Sequence, residues 1–362
     1  MKVAFVLPVA SMAGGIRVVA TYAKALSDVG HDVTLVSLPL PPIPLRRKVK
    51  SFITGKGWPI NKKIPSHLDG LGLDHRVIEK YRPILDSDVP DADVVIATWW
   101  ETAEWVNSLS RSKGVKVYFV QAHEIFPFCP IDRVMATYKM PLHKITISKW
   151  LVDVMRVEYG DSDVSLVLNG VDHRQFFSAP RGKQHRPTIG FLYHEAPLKG
   201  FDVALQIVSL LEKTFPTLRV ITFGSSPPGD SFKLPASLEF YLAPDQERIR
   251  DLYAQCDVWL SASRSEGFNL MAMEAMACRV PVVSTRTGWP LEAISCFENG
   301  VLADIDDSVA LAHAVEQLLI LDELKWRTIS EKAYQTVALS SWENSAKLFE
   351  TALCNACVSS SS

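Results

Sequence analysis

The chain has 362 residues, 48% of them hydrophobic and 22% charged, a balance that fits two or three packed soluble domains and excludes a disordered or collagen-like polymer. A net charge of −2 argues against general nucleic-acid binding, and no window of about 18 uninterrupted apolar residues is present to span a membrane. The charge is uneven: residues 1–172 carry 21 Lys and Arg against 18 Asp and Glu, and the remainder 17 against 22, so the N-terminal half is better suited to an anionic partner.

The opening, MKVAFVLPVASMAGG, has the lysine, apolar run and small residues of a signal peptide. Pro8 breaks that run, however, and IRVVATYAKALSDVG follows with helical periodicity, so strand–turn–helix is the better reading. Apolar runs at 3–7, 32–38, 93–99, 115–121, 143–148 and 165–169 read as strands, and 15–29, 101–112 and 148–159 as helices. Strands bounded by helices predict a parallel sheet covered on both faces. Residues 41–66 break the alternation, with seven basic residues, no acid, several prolines, Phe52, Ile53 and Trp58. They read either as a solvated excursion or as a basic, apolar-tipped loop that touches anionic lipid or a phosphorylated acceptor.

Residues 173–187, polar and basic, read as a linker, after which the pattern restarts. Strands are expected at 188–193, 218–224, 238–242, 257–262 and 280–285. Helices are expected at 200–214, 245–256, from about 269, and at 307–321, 323–338 and 342–356. The plan is therefore two α/β domains, 1–172 and 188–340, joined by a linker (173–187) and followed by a last helical segment (341–362). Two open α/β sheets of this kind bind ligands in the crevice at their carboxyl edges. The six cysteines form no disulfide framework and suit reduced thiols. Cys354 and Cys357 form a C-x-x-C without a second ligand pair, so no metal is expected.

Three features carry chemistry. Gly14 and Gly15 follow the first strand and open the first helix, where backbone amides and the helix dipole favour phosphate. They do not make a dinucleotide fingerprint, which needs G-x-G-x-x-G and a later acid. In SRSEGFNLMAMEAMACRVPVV, Asn269 is a natural N-cap, which leaves Glu266 in the preceding loop and Glu274 about one turn inside the helix. The amides of Gly267, Phe268 and Asn269 then cluster at a positive helix end, ready for a hydroxyl-rich anionic ligand. Glu274, among apolar neighbours, needs a partner; Arg264, Arg279 and Arg286 are the nearby candidates. The aromatic cluster at Trp99 and Trp100 serves either as core or as a sugar-binding platform.

The stretch around Glu266 and Glu274 resembles the E-x7-E signature of retaining GT-B glycosyltransferases, family 4 in particular. AGG after the first strand, VLNGVD at 167–172 and Lys199-Gly200 resemble further motifs of that family. The resemblance implies two Rossmann-like parallel-sheet domains facing a cleft, an N-terminal acceptor domain (1–172) and a C-terminal donor domain (188–340), with the last helix (341–362) packing back on the first. It implies that Glu266 binds donor-sugar hydroxyls, Glu274 the ribose, and Lys199 the departing diphosphate, with Gly14 and Gly15 on phosphate and His123 near the donor sugar. Arg264, Gly267, Phe268, Asn269 and Leu270 complete the donor set. His194 replaces the family's usual arginine, so Arg264 or another base would have to compensate. Asn269 and Trp289 replace family glycines and are expected to crowd the donor pocket.

The activity so implied is transfer of a sugar, with retention, from a nucleotide diphosphate sugar to a hydroxyl on a glycan or lipid-linked acceptor, in cell-surface polysaccharide or glycolipid synthesis. The lysine and the helix end would supply the charge, with no metal or other cofactor. The implied setting is cytoplasmic, at the inner face of the plasma membrane through 41–66, with no nucleic acid as partner. A nucleotide-sugar epimerase of similar fold, or a non-catalytic nucleotide-sugar-binding subunit, would carry many of the same residues.

Overall fold

A computed structural model describes residues 1–61 and 64–359. In chain order the elements are β1 (Lys2–Val9), α1 (Gly14–Asp28), β2 (Asp32–Leu38), α2 (Leu45–Ile53), β3 (Asp74–Val77), β4 (Val94–Ala97), α3 (Trp100–Ser108) and β5 (Val115–Val120). Then come α4 (Ile131–Tyr138), β6 (His143–Thr146), α5 (Lys149–Tyr159) and β7 (Val164–Leu166). The second series is β8 (Thr188–Leu192), α6 (Phe201–Thr214), β9 (Arg219–Gly224), β10 (Leu238–Leu242), α7 (Gln246–Ala254), β11 (Val258–Ser261) and α8 (Leu270–Ala277). It continues with β12 (Val282–Thr285), α9 (Pro290–Ala293), β13 (Gly300–Ala303), α10 (Ser308–Leu319) and α11 (Glu323–Val337), and the chain closes on α12 (Trp342–Ser359).

Two compact units result. The first holds Met1–Ile147, Leu151–Leu168 and the stretch from Glu343; the second holds Ser148–Trp150 and Asn169–Trp342. In the first, a seven-stranded parallel sheet runs β3-β2-β1-β4-β5-β6-β7. Its central strands are apolar along nearly their whole length because helices cover both faces, and residues 3–7 and 94–97 are fully buried. α12 belongs to this core. Phe349 stacks on Tyr22 with ring centroids 4.5 Å apart and meets Phe119 edge-on at 5.0 Å. On the same helix, Glu350 bonds His31 Nε2 at 2.9 Å.

In the second unit a six-stranded parallel sheet runs β10-β9-β8-β11-β12-β13. Residues 173–187, expected as a linker, pack into this unit. The Lys183 ammonium donates to the carbonyls of Leu319 (2.5 Å) and Leu321 (2.7 Å), and the Arg181 guanidinium lies 4.9 Å over the Trp326 ring. The basic side chains that suggest a solvated stretch are serving carbonyls left over at helix and strand ends. Residues 41–66, read as loop, contain the helix α2, none of whose residues is buried; Lys62 and Lys63 of that stretch lie outside the described residues. Among the described residues no helix is long and apolar enough to cross a membrane.

Candidate donor site

In the second sheet β8 lies between β9 and β11. The chain leaves β8 towards β9 on one side and resumes at β11 on the other, so the carboxyl edge between β8 and β11 is a topological switch point, the usual place for a ligand crevice. Lys199 ends a single 3-10 turn (Pro197–Lys199) in the loop after β8, and Glu266 sits in the loop after β11. The two loops meet at Gly200, whose φ is +65° and where an added Cβ would stand 1.9 Å from the carbonyl oxygen of Ala262. No side chain fits there, and this close approach carries Lys199 across to Glu266.

The Lys199 ammonium donates to both oxygens of Glu266, at 2.8 and 2.9 Å, and the Ser263 hydroxyl donates to Glu266 Oε1 at 2.7 Å. Lys199 and Glu266 line one pocket together with Leu192, Ser261, Asn269 and Leu270. The loop carrying Glu266 is pinned from above: Gly288 has φ +62° and an added Cβ there would lie 2.9 Å from Glu266 Cβ. The amide of Trp289 donates to the Phe268 carbonyl at 2.8 Å. Gly267 turns its carbonyl the other way, accepting from the Trp150 indole at 2.9 Å and from the Ser148 hydroxyl at 3.2 Å. Neither Trp150 nor Ser263 was foreseen. Ser263 had a signal, three residues before Glu266, whereas Trp150 lies 117 residues away in sequence and had none.

Asn269 caps α8 as expected, its Oδ1 accepting from the Ala272 amide at 3.3 Å. Its φ is +80°, the left-handed region that glycine fills most easily and asparagine tolerates, and its Nδ2 donates to Ser261 Oγ at 2.8 Å. A residue expected to obstruct the pocket thus keeps the glycine-like backbone. Trp289, expected to do the same, is buried, stacks on Phe268 at 5.6 Å and does not line the pocket.

The remaining residues expected at the donor site divide. The His194 pKa is lowered, by desolvation first and by the Lys199 charge second, and its Nδ1 accepts from the Ala196 amide at 3.0 Å. Arg264 is committed to Asp202 (2.7 and 2.9 Å), Asp306 (2.7 Å) and the Pro197 carbonyl (2.7 Å), so its charge is already balanced by two carboxylates. Those ion-paired hydrogen bonds to Asp202 and Asp306 raise its pKa. Glu274 is 3% exposed, accepts from the Tyr253 hydroxyl at 3.2 Å and does not line the Lys199–Glu266 pocket. The arginines proposed as its partners bond other carboxylates: Arg264 as above, Arg279 with Glu331, and Arg286 with Asp304 at 3.1 Å.

In the first unit the candidates gather at the carboxyl ends of β1, β4 and β5. Gly14 and Gly15 are the first residues of α1, and neither has positive φ. The pair therefore supplies a bare first turn to α1, and a Cβ added at Gly15 would stand 3.6 Å from the Gln121 side-chain amide. His123 is hydrogen-bonded through Nε2 to the Tyr159 hydroxyl at 2.7 Å, and burial lowers its pKa. Trp99 is half-buried and stacks on Phe126. Trp100 is 5% exposed with the Arg133 guanidinium 4.9 Å over its ring, which places it on the core side of the two alternatives the sequence left open.

Next to them is a group that sequence reasoning missed. Glu124 is fully buried, its Oε2 accepting from the Trp100 amide at 2.8 Å and the Tyr118 hydroxyl at 3.1 Å. Desolvation pushes its carboxyl up to about 8.

Residues 173–336 match the family model described as glycosyl transferases group 1. A D-inositol 3-phosphate glycosyltransferase of Corynebacterium urealyticum is 34% identical over 174 residues, covering 44% of this chain and 41% of the relative. The N-acetyl-alpha-D-glucosaminyl L-malate synthase of Bacillus anthracis is 37% identical over 92 residues, covering 25% and 24%. The chain thus spans less than half the length of these curated relatives. Among solved structures, a sucrose-phosphate synthase of Thermosynechococcus elongatus aligns with a TM-score of 0.74 at 16% identity, over 97% of this chain and 98% of that one. Anabaena Alr3699/HepE in complex with UDP-glucose aligns with a TM-score of 0.72 at 16% identity, over 97% and 99%. Residues 173–336 accordingly resemble the glycosyl transferases group 1 family, and the chain has the GT-B fold.

Proposed function

We propose that the chain transfers a glycosyl group from a nucleotide diphosphate sugar to a hydroxyl acceptor, with retention of anomeric configuration, in the synthesis of a cell-surface glycan or glycolipid. The observation that carries this reading is the Lys199–Glu266 pair at the switch point of the second sheet, beside the N-terminus of α8. As the bond from the anomeric carbon to the diphosphate lengthens, negative charge gathers on the leaving oxygen. Lys199 and the amides at the start of α8 balance that charge, and a fixed donor of this sort is worth about 10²–10³ in rate. Glu266 accepts from donor-sugar hydroxyls, Ser263 orients it, and Glu274 accepts from the ribose. No metal is assigned a role in this scheme. The first unit supplies acceptor binding, with the Trp99 ring as its aromatic surface. Similarity to a protein solved with UDP-glucose makes that compound the first donor to try, and free thiols at all six cysteines fit a cytoplasmic setting.

The test is titration calorimetry with UDP and UDP-glucose, followed by proton NMR of the product's anomeric centre. Binding together with a product of unchanged configuration supports the reading, and an inverted product overturns retention. UDP-glucose binding without turnover at any acceptor would point to a non-catalytic subunit, and conversion without acceptor consumption to an isomerase. Unchanged donor affinity in Glu274→Ala removes the ribose assignment.

A further inference from the structure

Among the described α-helices only α2 buries no residue. On a helical wheel of about 100° per residue, Leu45, Val49, Phe52 and Ile53 fall within an arc of about 100°. They are 70%, 42%, 66% and 76% exposed, a continuous apolar strip that the other described residues leave open. Trp58 extends it, its ring 6.4 Å from that of Phe52 and 5.8 Å from the Lys48 ammonium.

The rest of the helix surface is cationic. Arg46 and Lys48 flank the strip and Arg47 and Lys50 lie opposite, and none of the four forms an ion pair among the described residues. The sequence from 41 to 66 holds seven basic residues and no acid. The adjoining groove adds Glu79 and Lys80, which cancel.

An exposed apolar strip alone would fit several occupants. A strip edged by unpaired cations, with an indole beside it, matches the boundary between acyl chains and anionic headgroups, where apolar contact and phosphate contact are offered together. We propose that α2 docks the first unit on an anionic lipid bilayer, with Leu45, Val49, Phe52 and Ile53 entering the acyl boundary and Arg46, Arg47, Lys48 and Lys50 meeting headgroup phosphates. The inference stands apart from the proposed transfer reaction, since docking needs neither donor nor acceptor.

The test is co-sedimentation of the full chain with phosphatidylcholine vesicles, with and without phosphatidylglycerol. Binding is expected to the anionic vesicles alone and to weaken as salt is raised. The charge-neutral double substitution Phe52→Ser/Ile53→Ser and the double substitution Arg47→Ala/Lys50→Ala should each lower it about tenfold, with circular dichroism and Tm unchanged because all four side chains are exposed. Absence of binding to anionic vesicles overturns the proposal, as does binding that Phe52→Ser/Ile53→Ser leaves intact. A concentration-dependent dimer that the same substitution abolishes, without vesicle binding, would assign the strip to a second copy of the chain and overturn it equally.

Discussion

Lys199 and Glu266, 67 residues apart, form a two-pronged ion pair, with the ammonium 2.8 and 2.9 Å from the two carboxylate oxygens. The pair sits where the loops after β8 and β11 touch through Gly200 and Ala262. Lys199→Ala should lower glycosyl transfer at saturating donor by about 10²-fold or more. Because the lysine is about a third exposed, the ion pair adds little to stability, and Tm should barely move. A large fall in Tm with intact turnover would show the pair to be structural. Glu266→Gln should weaken sugar-nucleotide binding more than binding of the nucleotide alone, a difference that titration calorimetry reads directly.

Asn269 combines a left-handed backbone with a helix cap. Asn269→Ala loses both the capping acceptor, about 1 kcal/mol, and the tolerated backbone, about another 1 kcal/mol. Asn269→Gly keeps the backbone and should lose only a few tenths of a kcal/mol from the cap. Urea denaturation of the two variants should rank Gly well above Ala, and equal stabilities would refute the left-handed assignment.

Glu124 gives the protein a defined pH response. Its carboxyl is pushed up to about 8 in the folded state by burial, against an ordinary 4.5. Between those values the unfolded chain releases the proton and the folded chain keeps it. Stability from this group is therefore fully present below about pH 4.5, falls as pH rises, and is lost above about pH 8, by roughly a few kcal/mol in total. Glu124→Gln retains an oxygen to accept from the Trp100 amide and the Tyr118 hydroxyl, and should flatten the fall of Tm across this range. A wild-type Tm that does not decline relative to Glu124→Gln between about pH 5 and pH 8 would contradict the assignment.

Phe349 lies among Phe5, Tyr22 and Phe119 in the core of the first unit. Phe349→Ala should destabilise that core by about 3–5 kcal/mol, measured by chemical denaturation. A cost under about 1 kcal/mol would mean that α12 is only loosely attached.

The alternation of strand and helix was legible because buried parallel strands are written as unbroken apolar runs: Asp32–Leu38 and Leu238–Leu242 coincide with the runs that announce them. What escaped was short or exposed. β3 is the edge strand DHRV, exposed along most of its length and lacking an apolar run, and β13 has four residues. α2 escaped because prolines and lysines around it read as loop, and none of its residues is buried in a core that would leave a periodic apolar signature. At the site, Glu266 and Asn269 were legible from their spacing around the start of α8, and Lys199 from the family resemblance alone. The Ser148 and Trp150 contacts to Gly267, and the commitment of Arg264 to Asp202 and Asp306, depend on residues brought together only by the fold.

The stacking of Phe349 against Phe5 and Tyr22 has a consequence for synthesis. The hydrophobic centre of the first unit is built from segments that precede and follow the second unit along the chain, and the second unit is encoded almost wholly between them. On the ribosome the second unit can complete its sheet first. The N-terminal strands must wait, with one wall of their core missing, until α12 emerges, and a nascent chain stalled before it should be the species that chaperones recognise.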